Sequence, residues 1–215
     1  MMQVCAIVPA FEAAATVGEV VFDLRRSIEA PVVVVDDGST DGTADAALAQ
    51  GALVVRHESN RGKGAALKTG LAEAARRGFD VGITADADGQ HPGASARLVL
   101  DASDDPHAVV LGVRDLVRDG APPSNQFGNA VSNFFLSAFA GRRLKDTQCG
   151  LRRYPIGETL ALGVRANGFA FEGEVVLRAL SAGLPLVEVP VSVIYSRAIP
   201  PRSHFRRVRD PMRIV

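Results

Sequence analysis

Short runs of β-branched residues recur along this chain, and each is followed by apolar residues spaced three and four apart. Val4–Val8 is the first such run. Val17, Val20, Val21, Leu24 and Ile28 then mark one face of a helix that Pro31 ends, and Val32–Val35 is a second, continuously apolar run. Leu53–Arg56 reads as a third short strand, Leu67, Leu71 and Ala74 as a helix face, and Val81–Thr84 and Val109–Gly112 as two more strands. This alternation predicts a mostly parallel α/β sheet with helices on both faces. In such sheets ligands bind beyond the carboxyl ends of the strands, and the unusual residues of this sequence fall there.

The second half is less regular. Charges, Gly120, Pro122 and Pro123 make Arg114–Gly128 read as a loop. Val131, Phe134, Phe135, Ala138 and Phe139 form an apolar helix face, expected in the core. Gly168–Leu180 reads as another helix, and Leu186–Ile194 as a strand that Pro190 confines to an edge. The 215 residues, 47% hydrophobic and 22% charged, suffice for one globular domain. Formal net charge is zero, yet six Arg and a single Asp stand between Arg197 and Arg213. The expectation is a domain over residues 1–195 and a basic tail over 196–215 that meets an anionic partner. Cys5 and Cys149 lack metal-ligand spacing, which points to a reducing cytoplasm and no disulfide. The N-terminal MMQVCAIVPAF does not read as a signal peptide. No run reaches the roughly 18 apolar residues of a spanning helix, so any membrane work is expected to be peripheral, on the inner face.

Three motifs carry chemistry. The first is Asp36-Asp37-Gly38-Ser39-Thr40-Asp41-Gly42-Thr43, at the end of an apolar strand. Its carboxylates can accept hydrogen bonds from a ligand, its glycines allow a tight turn, and Ser39 or Asp41 can cap the next helix. A capped turn alone would need only one such acid. The second, Asp86-Ala87-Asp88-Gly89-Gln90-His91-Pro92, follows the Val81–Thr84 strand. Two carboxylates one residue apart, with the Gln90 amide oxygen, suit Mg²⁺ or Mn²⁺, which prefer oxygen ligands and leave room for water and phosphate. His91 reads as a turn histidine rather than a ligand. The third, Asn60-Arg61-Gly62-Lys63-Gly64, opens a helix, where glycines, N–H groups and a Lys can receive phosphate. Its spacing is not that of a Walker motif, and a plain basic turn fits it equally well.

Together with Val8-Pro9-Ala10-Phe11-Glu12, these motifs in this order resemble family 2 glycosyltransferases. Asp146-Thr147-Gln148-Cys149-Gly150-Leu151-Arg152 and Phe171-Glu172-Gly173-Glu174 look like later motifs of the dolichyl- or polyprenyl-phosphate sugar synthase branch. The resemblance spans about residues 3 to 195 and implies the glycosyltransferase type A fold. It implies that Pro9, Phe11 and Glu12 line a nucleotide pocket, with Asp37 receiving the base or ribose and Lys63 nearby. Asp86, Asp88 and Gln90 would hold a metal and the donor diphosphate. Arg114 would face the donor phosphates or the acceptor, and Asp146, Gln148 and Glu174 would line the acceptor side. The Q-x-x-R-W signature of cellulose- and chitin-type members is absent and the chain has no Trp, which argues against a processive polymerase.

The implied reaction is a metal-dependent, inverting displacement in which an acceptor oxygen attacks the anomeric carbon as diphosphate departs. A lipid phosphate acceptor is already ionised at pH 7. A hydroxyl acceptor would need a base, for which Asp146 is the candidate. The expected partners are a nucleotide-sugar donor, a polyprenyl-phosphate or other lipid-linked acceptor and an anionic membrane surface, with no nucleic acid. In the tail, Phe205, Val208, Met212 and Val215 alternate with arginines, a pattern suited to lipid headgroups although Pro211 interrupts it. Alternatively Arg202 or Arg206 closes over the diphosphate. Two rival readings stand beside the transferase: a nucleotidyltransferase of related architecture, whose Gly-rich turn after the first strand is missing here, and an inactive nucleotide-sugar-binding subunit.

Overall fold

The computed structural model describes residues 2–195, so the basic tail, with Arg202 and Arg206, lies outside the described residues. Seven strands form one sheet: β1 (Val4–Ala10), β2 (Val32–Asp36), β3 (Leu53–Arg56), β4 (Val81–Thr84), β5 (Val109–Arg114), β6 (Arg152–Pro155) and β7 (Leu186–Val191), in the order β3-β2-β1-β4-β6-β5-β7. The helices between them are α1 (Val17–Ile28), α2 (Thr43–Ala49), α3 (Lys63–Arg76), α4 (Gly93–Asp101), α5 (Pro123–Ala140), α6 (Ile156–Ala161) and α7 (Ala170–Ser181). β1, β2, β3 and β4 pair in parallel, as do β5 and β7, while β6 runs antiparallel to both its neighbours. The order therefore turns back between β1 and β4, and that switch point opens a crevice at the carboxyl edge. The register sets Ala10 beside Asp36 and Ile7 beside Thr84, so β1, β2 and β4 end together.

The two faces of the sheet carry separate cores. On one, Val17, Val21 and Leu24 of α1 and Val99 of α4 pack on Ala6, Val8 and Val34. On the other, Leu67 and Leu71 of α3 and Phe171 and Val175 of α7 pack on Cys5, Ile7 and Leu111. Strands β1 and β2 are thus covered on both sides, which is why they read as continuous apolar runs rather than alternating ones. Cys5 and Cys149 are buried and free.

Three readings of the second half are corrected. A central strand, β6, was not expected, because Arg152-Arg153-Tyr154-Pro155 shows no strand-like apolar pattern. Its arginines are nonetheless fully buried. The Arg152 guanidinium donates to the carbonyls of Cys149 (2.8 Å), Thr147 (2.7 Å) and Glu172 (2.7 Å) and to the Tyr154 hydroxyl (3.3 Å). Arg153 donates to the carbonyls of Ser103 and Asp105. A buried cation is tolerable in a sheet where acceptors meet it, as they meet Nε and both Nη atoms of Arg152, while Arg153 keeps carbonyl acceptors at its Nη atoms and a buried Nε without a partner. Helix α5 begins at Pro123, inside the stretch expected as loop, because Pro suits a first helical turn. The aromatic face of α5, expected in the core, points outward: Phe134 is 69% and Phe139 66% exposed, and the buried positions are Asn129, Ser132 and Leu136. The reason lies beneath the helix, where polar partners wait: Ser132 meets the Thr147 hydroxyl at 3.0 Å, and Asn133 accepts the Thr147 N–H at 2.8 Å. The edge position expected for Leu186–Ile194 is where β7 lies.

Arg152 thus ties β6 to the loop before it and to α7. Arg152→Met should strand three carbonyls and lower the urea-unfolding free energy by about 2–4 kcal/mol, measured against wild type at equal m-value. A loss under about 0.5 kcal/mol would show that these bonds do not anchor the strand.

Candidate active site

Because β6 is antiparallel, the segment leading into it, Asp146 to Leu151, lies at the same edge as the ends of β1, β2, β4 and β5. This placement brings together motifs that are distant in sequence. At the end of β4, Asp86 is half-buried and its carboxylate sits directly over Gly150. A Cβ added to Gly150 would stand 2.4 Å from Asp86 Oδ2. Lys63, the first residue of α3, reaches the same point. Its Nζ lies 2.6 Å from Asp86 Oδ1 and 3.1 Å from Glu172 Oε1, and 5.9 Å from the centre of the Phe169 ring. Burial disfavours the ammonium, but Asp86 and Glu172 outweigh it and raise the Lys63 pKa. Burial likewise opposes ionisation of Asp86, and Lys63 overrides it, holding that carboxyl below the usual range.

Asp88 lies at the open side of this cluster, and its Oδ1 accepts the Gln90 N–H at 3.0 Å. Partial desolvation, then the charge on Asp86, push its carboxyl up to about 6. His91 follows. Burial lowers its pKa to about 4, so the imidazole is neutral at pH 7, with Nε2 3.9 Å from the Cys149 sulfur. The Gln90 carbonyl accepts the Ile194 N–H at 2.8 Å, which fastens the segment after β7 to the acidic loop.

The Asp37 carboxylate, expected to receive base or ribose, is occupied. It is buried and accepts His57 Nδ1 (2.6 Å) and the N–H groups of Arg61 (3.0 Å) and Gly62 (2.8 Å). Its work in this structure is to shape the turn that delivers Lys63. Gly62 in that turn has φ +96°, and a Cβ there would meet the Asn167 carbonyl oxygen at 2.5 Å, so glycine is required on both counts. Asp36 is buried and accepts the Ser39 N–H. Pro9 and Phe11 are half-buried where β1 ends. Glu12 adopts φ 51°, uncommon for a residue with a side chain. It is held there by its N–H to Ser39 Oγ and by Thr40 N–H to its Oε1, both at 2.9 Å.

Arg114 at the end of β5 forms a two-pronged ion pair with Asp146, Nε to Oδ2 at 2.7 Å and Nη2 to Oδ1 at 3.0 Å. The backbone N–H groups of Arg114 and Gln148 also donate to Asp146, which is fully buried. Asp146 is therefore not presented as a base. It positions Arg114, whose charge reaches Asp86, Asp88 and His91. Glu174, expected on the acceptor side, has partners of its own. It accepts the N–H groups of Arg165 and Ala166 and pairs with Arg178 at 2.7 Å, bracing a loop and its own helix. Glu172, two residues earlier, faces the site instead. Helical periodicity could have separated them, since Glu172 shares the inward face of Phe171, Val175, Val176 and Ala179, while Glu174 and Arg178 share the outer one.

The sheet order, the switch-point crevice and the paired acids are those of the glycosyltransferase type A fold. The structure superposes on glucosyl-3-phosphoglycerate synthase of M. tuberculosis with a TM-score of 0.74 over 93% of this chain and 74% of that one, at 20% identity. It superposes equally on mannosyl-3-phosphoglycerate synthase from Rubrobacter xylanophilus, TM-score 0.74, over 99% of this chain and 70% of that one, at 22% identity. Residues 5–157 match the model for Glycosyl transferase family 2, and the chain belongs to that family. It is a glycosyltransferase. An uncharacterized protein of Methanocaldococcus jannaschii is 32% identical over 90% of this chain and 82% of its own length. The UDP-N-acetylglucosamine–dolichyl-phosphate N-acetylglucosaminyltransferase of Methanococcus voltae is 28% identical, covering 88% of this chain and 85% of that one. The polyprenol monophosphomannose synthase of Mycolicibacterium smegmatis is 33% identical, covering 75% and 65%.

Gly150 is the seat of the Asp86 carboxylate, and a methyl group there must displace it. Gly150→Ala should lower transferase turnover by about a hundredfold, the order expected for a misplacement of about 1 Å, with an unchanged far-ultraviolet dichroism spectrum. Turnover within a factor of about three of wild type would show that the position of Asp86 is not critical.

Proposed function

We propose that this glycosyltransferase moves a sugar from a nucleotide-diphosphate donor to a polyprenyl phosphate, with a divalent cation bound at Asp86 and Asp88. The observation that carries the reading is the cluster at the sheet edge in which Asp86, paired with Lys63, lies against Gly150 and feels the charge of Arg114, which lines a cavity of about 820 Å³. Relatives named as acting on dolichyl and polyprenyl phosphates support the acceptor class. One structural neighbour was solved with Mn²⁺ and UDP, which is in keeping with the donor and the cation.

The residues present fit a hard cation. Among the described residues no three His, Cys, Asp or Glu side chains converge on one point. Two carboxylates at alternate positions are what Mg²⁺ or Mn²⁺ needs when phosphate oxygens and water supply the rest. Desolvation and then the neighbouring Asp86 carboxylate raise the pKa of Asp88, and a cation bound between the two would relieve that strain on the charged form. The Gln90 amide oxygen is a further ligand candidate. When bound, the cation would neutralise charge on the departing diphosphate.

This chain's own residues do the rest. Lys63 holds Asp86 in place and adds positive charge on the diphosphate side. The end of β1, with Pro9, Phe11 and Glu12, borders the nucleotide pocket, and Asp37 acts there by fixing the Arg61–Gly62 turn. Arg114, pinned by Asp146, offers its remaining guanidinium N–H groups to an acceptor phosphate. Gln148 follows at the rim of that side. An ionised phosphate attacks without a base, which agrees with the burial of Asp146, and a single in-line displacement would invert the anomeric centre. The proposal takes residues 1–195 as the catalytic unit. Arg202 and Arg206 remain candidates to close over the diphosphate or to meet lipid. Among the described residues no helix is long and apolar enough to cross a membrane.

Incubation with a panel of labelled nucleotide sugars and a polyprenyl phosphate should yield a lipid-linked sugar. Asp88→Ala or excess EDTA should reduce turnover by about a hundredfold or more. Undiminished turnover under either condition would refute the cation site, and failure of every donor with the lipid phosphate would refute the acceptor class.

A further inference from the structure

Threonine at a helix N-cap ordinarily turns its hydroxyl oxygen toward the free N–H groups of the first turn. Thr16, the N-cap of α1, makes no such side-chain bond. Its Oγ1 donates instead, at 2.6 Å, to the carbonyl of Ala87 in the acidic loop after β4. The Ala13 carbonyl, at 3.3 Å, is the weaker alternative for the same proton. Helix α1 thus forgoes a local cap for a bond to a residue 71 positions away.

Ala87 stands between Asp86 and Asp88. Its methyl group is buried in the core that holds Val17 and Val20 of α1, and its carbonyl is held by Thr16 at the start of the same helix. A peptide unit is planar. Holding the Ala87 carbonyl therefore orients the whole Ala87–Asp88 peptide and sets where the Asp88 side chain begins. Asp86 is held separately by Lys63, and Gln90 by the Ile194 N–H. Between these two anchors Thr16 places Asp88.

Thr16 is itself firmly placed. Ser39 Oγ accepts the Glu12 N–H (2.9 Å), Thr43 Oγ1 the Ala13 N–H (2.8 Å) and Asp41 Oδ2 the Ala14 N–H (3.1 Å). The Ala13 carbonyl in turn accepts the N–H groups of Thr16 (3.0 Å) and Val17 (2.9 Å). The polar side chains of the turn after β2 are committed to the segment that leads into Thr16. The loops after β2, β1 and β4 therefore form one hydrogen-bonded series that ends at the acidic loop.

We infer that Thr16 is a positioning residue for the cation site: its hydroxyl fixes the Ala87–Asp88 peptide, and thereby the spacing of the Asp86 and Asp88 carboxylates. Outer hydrogen bonds of this kind hold ligand side chains ready before an ion arrives. The inference deepens the cation reading and rests on it, while the hold on the loop is measured without any cation.

Two variants of the full chain separate hydroxyl from shape. Thr16→Val keeps the branched side chain and loses the hydroxyl, whereas Thr16→Ser keeps the hydroxyl and loses the methyl. Without cation, the backbone amides of residues 87–91 should exchange with deuterium about tenfold faster in Thr16→Val than in wild type, with α1 unchanged. Mn²⁺ alone, titrated with detection of the free ion by electron paramagnetic resonance, should bind Thr16→Val about tenfold more weakly. Thr16→Ser should stay within about threefold of wild type in both measurements. Wild-type exchange or wild-type Mn²⁺ affinity in Thr16→Val would overturn the inference. So would equal losses in the two variants, because shape rather than the hydroxyl would then be what matters. Absence of Mn²⁺ uptake by the wild type would instead refute the cation site, and this inference with it.

Discussion

One ammonium, that of Lys63, is shared by two carboxylates, Asp86 and Glu172, in a largely buried crevice. Each of the three comes from a different element: the first residue of α3, the loop after β4 and the first turn of α7. Without Lys63 the two acids would face each other, and repulsion with desolvation would protonate one of them or force the loops apart. The surrounding architecture serves this junction. Asp37 shapes the turn before Lys63. Gly64 lets α3 approach α7 so closely that a Cβ would meet Phe171 Cβ at 2.7 Å, and Gly150 leaves the hollow in which the Asp86 carboxylate rests.

The antiparallel strand β6 links this cluster to the second charged pair. It enters the sheet from the carboxyl edge, so Asp146, Gly150 and Arg152 arrive beside Arg114, Asp86 and Glu172 in turn. Arg152 donates to the carbonyl of Glu172, and Asp146 locks Arg114. One short segment thereby brings Arg114, with its partner Asp146, close to the Asp86–Lys63–Glu172 cluster.

Helix α5 shows how a polar requirement at the site reshapes the surface. The Thr147 N–H and the Lys145 carbonyl, which flank Asp146, are satisfied by Asn133. The polar face of α5 is therefore committed inward to hold the loop that holds Arg114. The phenylalanines are left to face outward, beside the cavity that the same loop borders.

The parallel half of the fold is legible in the order of residues alone. Strands buried on both faces must be apolar throughout, and helices covering a sheet must be apolar on one side, so β1 to β5 and α1 follow from pattern. The position of the acidic loop at the carboxyl end of β4 is legible too, because it directly follows a buried apolar strand. Whatever depends on partners distant in sequence emerges only on packing. Two arginines enter a central strand because carbonyls from residues 103 to 172 meet them. The partners of Asp37 and Asp146, backbone N–H groups, His57 and Arg114, are likewise visible only once the chain is packed. Glu172 rather than Glu174 faces the site because α7 is docked by Phe171 and Val175. Hydrophobic period records which face is buried only when the neighbour is apolar. Where the neighbour is polar, as beneath α5, the same period points the wrong way, and only the packed chain reveals the buried face.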